Sequence, residues 1–133
     1  MKRFSNYSML AILFLFPMVG TAVEGIRLVC DEPVYNFGHV AQTAVITNVF
    51  IVRNEGDLSF MLKYVQTGCS CTKGRMNKRV IGPGETAELT AVYTAARRKG
   101  PQKKSLKLIP VDSTGSTLTF YMQGFVEAPS ESL

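Results

Sequence analysis

The sequence predicts an all-β protein, an immunoglobulin-like antiparallel β-sandwich of about seven strands. Three observations predict it. Apolar and β-branched residues alternate with polar ones in short blocks, the period of a strand with one buried face. Turns rich in glycine and proline separate the blocks at close, regular intervals. No stretch follows a capping residue with apolar positions at three- and four-residue spacing, so no helix is expected in the domain.

The first segment stands apart. Lys2 and Arg3 are followed by an unbroken apolar run from Met9 to Val19 and by Gly20-Thr21-Ala22. This is the layout of a secretory signal peptide, and cleavage is expected after Ala22. A membrane anchor fits less well, because the run is about half the ~20 residues a spanning helix needs and contains Pro17. Lipidation at Cys30 is not expected, since Arg27 interrupts the lead-in. The organisation read from the sequence is a signal peptide over 1–22, a sandwich domain over 23–127 and a frayed polar tail over 128–133. An exported protein of the periplasm or cell envelope follows, with no membrane span in the mature chain.

The elements follow in order. Ile26 to Cys30 is a short strand, and Pro33 to Phe37 is an extended piece ended by Gly38. Pro33 places it at a sheet edge. Ala44 to Arg53 is the clearest strand. Phe50 and Val52 are expected in the core, and Val45, Thr47, Val49 and Ile51 form a second face expected to be partly covered. Asn54 to Asp57 is a turn, and Leu58, Phe60 and Leu62 share the inner face of the next strand. Thr67 to Thr72 is a tight turn holding Cys69 and Cys71, and Gly82-Pro83-Gly84-Glu85 is a second turn. Leu89, Ala91 and Tyr93 point inward from the strand Ala87 to Tyr93. Ala95 to Gln102 is a basic loop. Lys103 to Val111 carries Leu106 and Leu108 inward, Ser113-Thr114-Gly115 turns the chain, and Thr117 to Val126 ends the sandwich.

Several motifs stand in a fixed order: Phe37-Gly38-His39-Val40, then Phe50, Asn54-Glu55-Gly56 and Leu58, then Val65 to Thr72 with its Cys-Ser-Cys-Thr turn, then Ile81 to Glu85, Gly100, and Phe120 to Val126 with Gly124. This order resembles the bacterial family called domain of unknown function 1573 over about Val34 to Val126. The resemblance implies an exported, immunoglobulin-like sandwich, similar to scaffold and binding domains of ciliary and spindle-pole proteins. It implies no reaction, and Cys30 lies outside its pattern.

Charge and composition narrow the function. The formal charge of +5 falls to +3 once Lys2 and Arg3 are removed. Ten basic residues lie between Lys73 and Lys107, against Glu85 and Glu88. A solvated surface accounts for most of them, with Arg97, Arg98 and Lys99 the candidate binding loop. Nucleic acid is not expected as a partner, because neither a ribonucleoprotein motif nor zinc-finger spacing is present. His39 is the only histidine, and no nucleophile elbow or phosphate loop accompanies it, so no catalytic residue is assigned.

Chemistry centres on the cysteines. Three remain after cleavage, Cys30, Cys69 and Cys71, and export favours a disulfide with one thiol left over. A bridge from Cys30 would close a loop of about 40 residues and stabilise by roughly 4 kcal/mol. A Cys69–Cys71 bridge needs a turn to bring the α-carbons together and would suit a redox-active pair. Metal is the third reading: Cys69, Cys71, His39, Met61 and Met76 are soft or borderline donors that would suit copper, and the three cysteines with His39 number a tetrahedral zinc set, although the Cys-x-Cys spacing fits zinc less well. No other cofactor is expected. The leading expectation is a non-enzymatic binding or scaffold module whose partner is another envelope protein. The rival is a thiol-redox or copper-handling protein using the Cys69-Ser70-Cys71 turn.

Overall fold

The structure is a computed structural model that describes residues 25–112 and 117–130. The expected signal peptide, the Ser113-Thr114-Gly115 turn and the last residues of the tail lie outside that set. Nine strands form two sheets: β1 (Leu28–Val29), β2 (Val34–Ala41), β3 (Val45–Asn54), β4 (Phe60–Thr67), β5 (Thr72–Met76), β6 (Val80–Ile81), β7 (Thr86–Thr94), β8 (Gly100–Pro110) and β9 (Thr119–Glu127). One sheet has the order β1-β3-β7-β5 and the other β2-β9-β8-β4-β6.

The inner faces meet in one core. Phe50, Val52, Leu89, Ala91 and Tyr93 come from the first sheet. Phe60, Leu106, Leu108, Phe120, Met122 and Val126 come from the second, and all of these are almost fully buried. The Phe50 and Phe120 rings meet across the interface with centroids 5.0 Å apart. Each such side chain contributes roughly 1.5–3 kcal/mol by leaving water. The alternation that predicted β3, β7 and β9 is the pattern these inner faces require.

Four expectations are corrected. Among the described residues the strands number nine, because β5 and β6 follow the cysteine turn. The sandwich is not wholly antiparallel, since β2 runs parallel to β9 at the sheet edge. Gly38 does not end β2. It adopts φ +69° where the register shifts between Asn36 and Gly38, so the strand bulges and continues to Ala41. The bulge lets the Phe37 ring fold over Gly124, where an added Cβ would sit 2.3 Å from that ring, and stack on Tyr93 of the opposite sheet at 5.4 Å. Finally, Leu58 is exposed instead of inward-facing.

A buried polar hub fastens one end of the sandwich. Asn54 is fully buried. Its Nδ2 donates to the carbonyls of Leu58 at 2.8 Å and Ile81 at 2.9 Å, and its Oδ1 accepts from the Gly56 N–H at 3.0 Å. Its backbone bonds Glu85 and Gly84. The side chain thereby joins the end of β3 to the following turn and to Ile81 of β6, and the backbone of the same residue holds the Gly82–Glu85 turn between β6 and β7.

Candidate functional site

The turn between β4 and β5 is built by backbone bonds at both ends. The Gly68 N–H donates to the Ser105 carbonyl, the Thr72 N–H to the Cys69 carbonyl, and the Thr94 N–H to the Cys71 carbonyl. The tight Cys69-to-Thr72 turn brings the two cysteine α-carbons to 5.2 Å, and the sulfurs are bonded to each other. Both cysteines are half-buried.

The basic loop between β7 and β8 reaches back to this turn. Ala96 and Arg97 take φ values of +28° and +62°, a left-handed turn that non-glycine residues adopt at roughly 1–2 kcal/mol each. The turn directs Arg98 toward the cysteines. Its Nη1 donates to the carbonyls of Thr94, Ala95 and Ala96, and its Nη2 lies 3.5 Å from the Cys69 sulfur. The Cys71 N–H donates to the same sulfur at 3.2 Å. Cys69 Sγ therefore holds two donors, one of them a cation. Beside the bridge opens a groove of about 420 Å³ lined by Ser70, Cys71, Lys73, Val92, Thr94, Ala96 and Arg98.

The remaining candidate residues sit elsewhere. Cys30 is the free cysteine. It follows β1, which pairs with β3 at Arg53 and Asn54, whereas Cys71 bonds Thr94, the partner of Val45 at the other end of β3. The separation along β3 exceeds roughly 20 Å, so a structural bridge from Cys30 is not formed. Burial raises the Cys30 thiol pKa, and the neighbouring carboxylates of Asp31 and Glu32 add to the rise, partly offset by a backbone hydrogen bond at Glu32. His39 lies on β2, stacked on Phe125 and hydrogen-bonded through Nδ1 to Glu127. Met76 is in the core, and Met61 is exposed at the start of β4 beside Val80. The five proposed metal donors do not converge, and the paired sulfurs offer no thiolate while oxidised. Among the described residues, no cluster of three or more His, Cys, Asp or Glu has metal-binding geometry.

Of the binding loop, Arg97 and Lys99 are exposed and Arg98 is committed to the cysteine turn. The sequence carried no signal for that commitment, because it depends on two residues adopting left-handed backbone. A second feature emerged only in three dimensions. β1 covers β3 at Arg53 and Asn54 alone, so among the described residues Val45 to Val52 of β3 have a strand on one side only, β7. Val45, Val49 and Ile51 are 62 %, 47 % and 50 % exposed on this strand. A groove of about 300 Å³ runs beside it, lined by Asp31, Glu32, Val34, Tyr35, Val49, Ile51 and Arg53 among others.

A family model described as "Protein of unknown function (DUF1573)" matches residues 28–126. The chain belongs to this family. The match takes in the Phe37-Gly38 bulge, the Asn54 hub, the cysteine turn and Gly124, the features that shape this DUF1573 domain. No curated protein matches it. Among solved structures, a protein of unknown function from Porphyromonas gingivalis W83 aligns at TM-score 0.62 and 14% identity over 84% of this chain and 51% of that one. The chain thus spans about half of that relative's length. The Vibrio cholerae VesB protease aligns at TM-score 0.60 and 13% identity, over 75% of this chain and 31% of the protease. The ASH / PapD-like domain 7 of human CEP192 aligns at TM-score 0.54 and 11% identity, over 86% of this chain and 94% of that domain. At these identities the likeness is one of fold. The DUF1573 domain is an immunoglobulin-like, PapD-like β-sandwich.

Proposed function

We propose that this chain is a non-enzymatic binding module of the cell envelope, and that it holds an extended segment of a partner protein against the edge of β3. The single observation that carries this reading is the eight-residue stretch Val45 to Val52, paired on one side only and bearing exposed Val45, Val49 and Ile51. Sheet edges are usually blunted by charge, proline or a covering element. This stretch contains no lysine and no proline. Its backbone groups offer main-chain pairing to an incoming strand, and its alternating apolar side chains offer selectivity. The apolar run and small residues of 1–22 support export, and the PapD-like fold supports a role in holding other chains.

The test is selection of a random ten-residue peptide library on the folded domain, followed by amide chemical-shift mapping of the enriched peptides. The expected winners alternate apolar and polar residues and shift the amides of Val45 to Val52. The double substitution Val49→Lys, Ile51→Lys should abolish their binding while the domain stays folded, since exposed substitutions change stability by about 0.5 kcal/mol or less. Enriched peptides that shift the β2 edge or the Arg97–Lys99 loop instead, or a library that yields no binder, would overturn the reading.

A further inference from the structure

We infer that, in addition to the binding role proposed for the β3 edge, the Cys69–Cys71 bridge is a stoichiometric thiol–disulfide exchange site that oxidises a dithiol on a partner protein, with Cys71 the sulfur attacked and Cys69 the leaving thiolate. The argument rests on the asymmetry of the two sulfurs. Cys69 Sγ accepts from the Cys71 N–H at 3.2 Å and faces the Arg98 guanidinium at 3.5 Å. Cys71 packs against the core, and among the described residues the one polar partner of its Sγ is the Thr72 hydroxyl, at 3.6 Å. When a disulfide opens, negative charge develops on the leaving sulfur, and the sulfur whose thiolate is better stabilised leaves faster. A cation and a backbone donor lower a thiol pKa, so the bridge should open toward Cys69.

Access agrees with this polarity. The groove beside the bridge is lined by Cys71, not Cys69, together with Ser70, Lys73, Val92, Thr94 and Ala96. Its charged walls are Lys73 and Arg98, with no carboxylate among the lining residues, and cations draw an incoming thiolate. The groove lies along β5, the edge strand of its sheet, where an extended segment carrying thiols can be laid down. Cys30 is too distant to act as the resolving thiol, so the second thiol must come from the partner.

The step balances. A partner thiolate, its proton lost to solvent, attacks Cys71 Sγ. The partner–Cys71 bond forms, the Cys71–Cys69 bond breaks, and the electron pair leaves on Cys69. The partner's second thiolate then attacks the partner sulfur of this mixed disulfide, forming the partner's own disulfide and expelling Cys71. The partner has lost two electrons and two protons. The pair has gained the electrons, and protons return to Cys71 and, as pH requires, to Cys69.

The experiment uses the intact oxidised protein with reduced glutathione as a monothiol probe, quenched with N-ethylmaleimide and mapped by mass spectrometry. The expected product carries glutathione on Cys71 and ethylmaleimide on Cys69. After full reduction, Cys69 should alkylate at pH 7 about tenfold faster than Cys71. Arg98→Gln should remove most of that advantage, and Arg98→Lys should restore part of it. Because Arg98 also holds its own loop, circular dichroism of each variant is recorded, and the glutathione mapping on the unsubstituted protein stands without them. Glutathione on Cys69, an even distribution, or a bridge no more reactive than an unfolded Cys-Ser-Cys peptide would overturn the proposal.

Discussion

Asn54 shows how one side chain sets the geometry of a whole end of the molecule. An exposed asparagine in an Asn-x-Gly turn would be ordinary turn chemistry. Here the side chain is fully buried, and its amide is bonded by two segments, the turn at Gly56 and Leu58 and the strand β6 at Ile81. Replacing it by alanine leaves two carbonyls and one N–H short of a partner in a dry site, at a cost of roughly 1–3 kcal/mol for each group that water cannot reach. We expect Asn54→Ala to destabilise the domain by at least about 2 kcal/mol, read as a lower urea midpoint with an unchanged slope. A near-neutral effect would mean that water replaces the side chain. The asparagine was legible in the sequence as a turn residue and as part of a motif, but its burial was not. Nothing local distinguishes an Asn that faces solvent from one that a distant turn, here Gly82–Glu85, closes over.

The elements differ in how plainly they are written. β3 and β7 alternate with large inward residues, and both were readable. β5 was not, because its inward positions are Thr72, Gly74 and Met76 while Lys73 and Arg75 face out. The sheets come so close there that a Cβ on Gly74 would lie 2.7 Å from Leu106 and Val65 side-chain atoms, so a strand that must carry small inward residues looks like a polar loop. The parallel pairing of β2 with β9 depends on which edge a distant strand occupies, which periodicity does not encode. Of the candidate site, the Cys69–Cys71 turn was legible as one of several pairings, whereas Arg98 was read only as part of a basic loop. The Gly82–Glu85 turn carries a prediction at this scale. The Glu85 carboxylate accepts from the Gly82 N–H at 2.9 Å, with Lys78 at 3.6 Å. The backbone hydrogen bond first, and Lys78 second, hold its pKa below the ordinary carboxylate value. The folded state then binds a proton less readily than the unfolded chain. The stabilisation is complete above the ordinary glutamate pKa and is lost as pH falls through the lowered one. Glu85→Gln should therefore be less stable than the parent at neutral pH and converge with it in strongly acid solution. A difference that stays constant across that range would assign the effect to packing rather than charge.

At the scale of the whole molecule, stability and redox chemistry are separable. The two sheets enclose a core drawn from eight of the nine described strands, and β2 pairs with β9 so that the first long strand and the last lie side by side. The disulfide contributes little to this assembly, because it closes a loop of three residues. The chain-entropy model gives such a loop under about 2 kcal/mol, against roughly 4 kcal/mol for the bridge from Cys30 that the fold does not make. An exchange site needs this property, since the domain must persist in both oxidation states to present the same groove. We therefore expect the reduced protein to unfold cooperatively in urea, within about 2 kcal/mol of the oxidised protein, with its β-sheet circular dichroism intact before the transition. Thiol counting on the denatured, unreduced protein should find one free thiol, and peptide mapping should place it at Cys30. A loss near 4 kcal/mol on reduction, together with a free thiol at Cys69 or Cys71, would instead mean that Cys30 staples the fold and that the turn holds no exchangeable bridge.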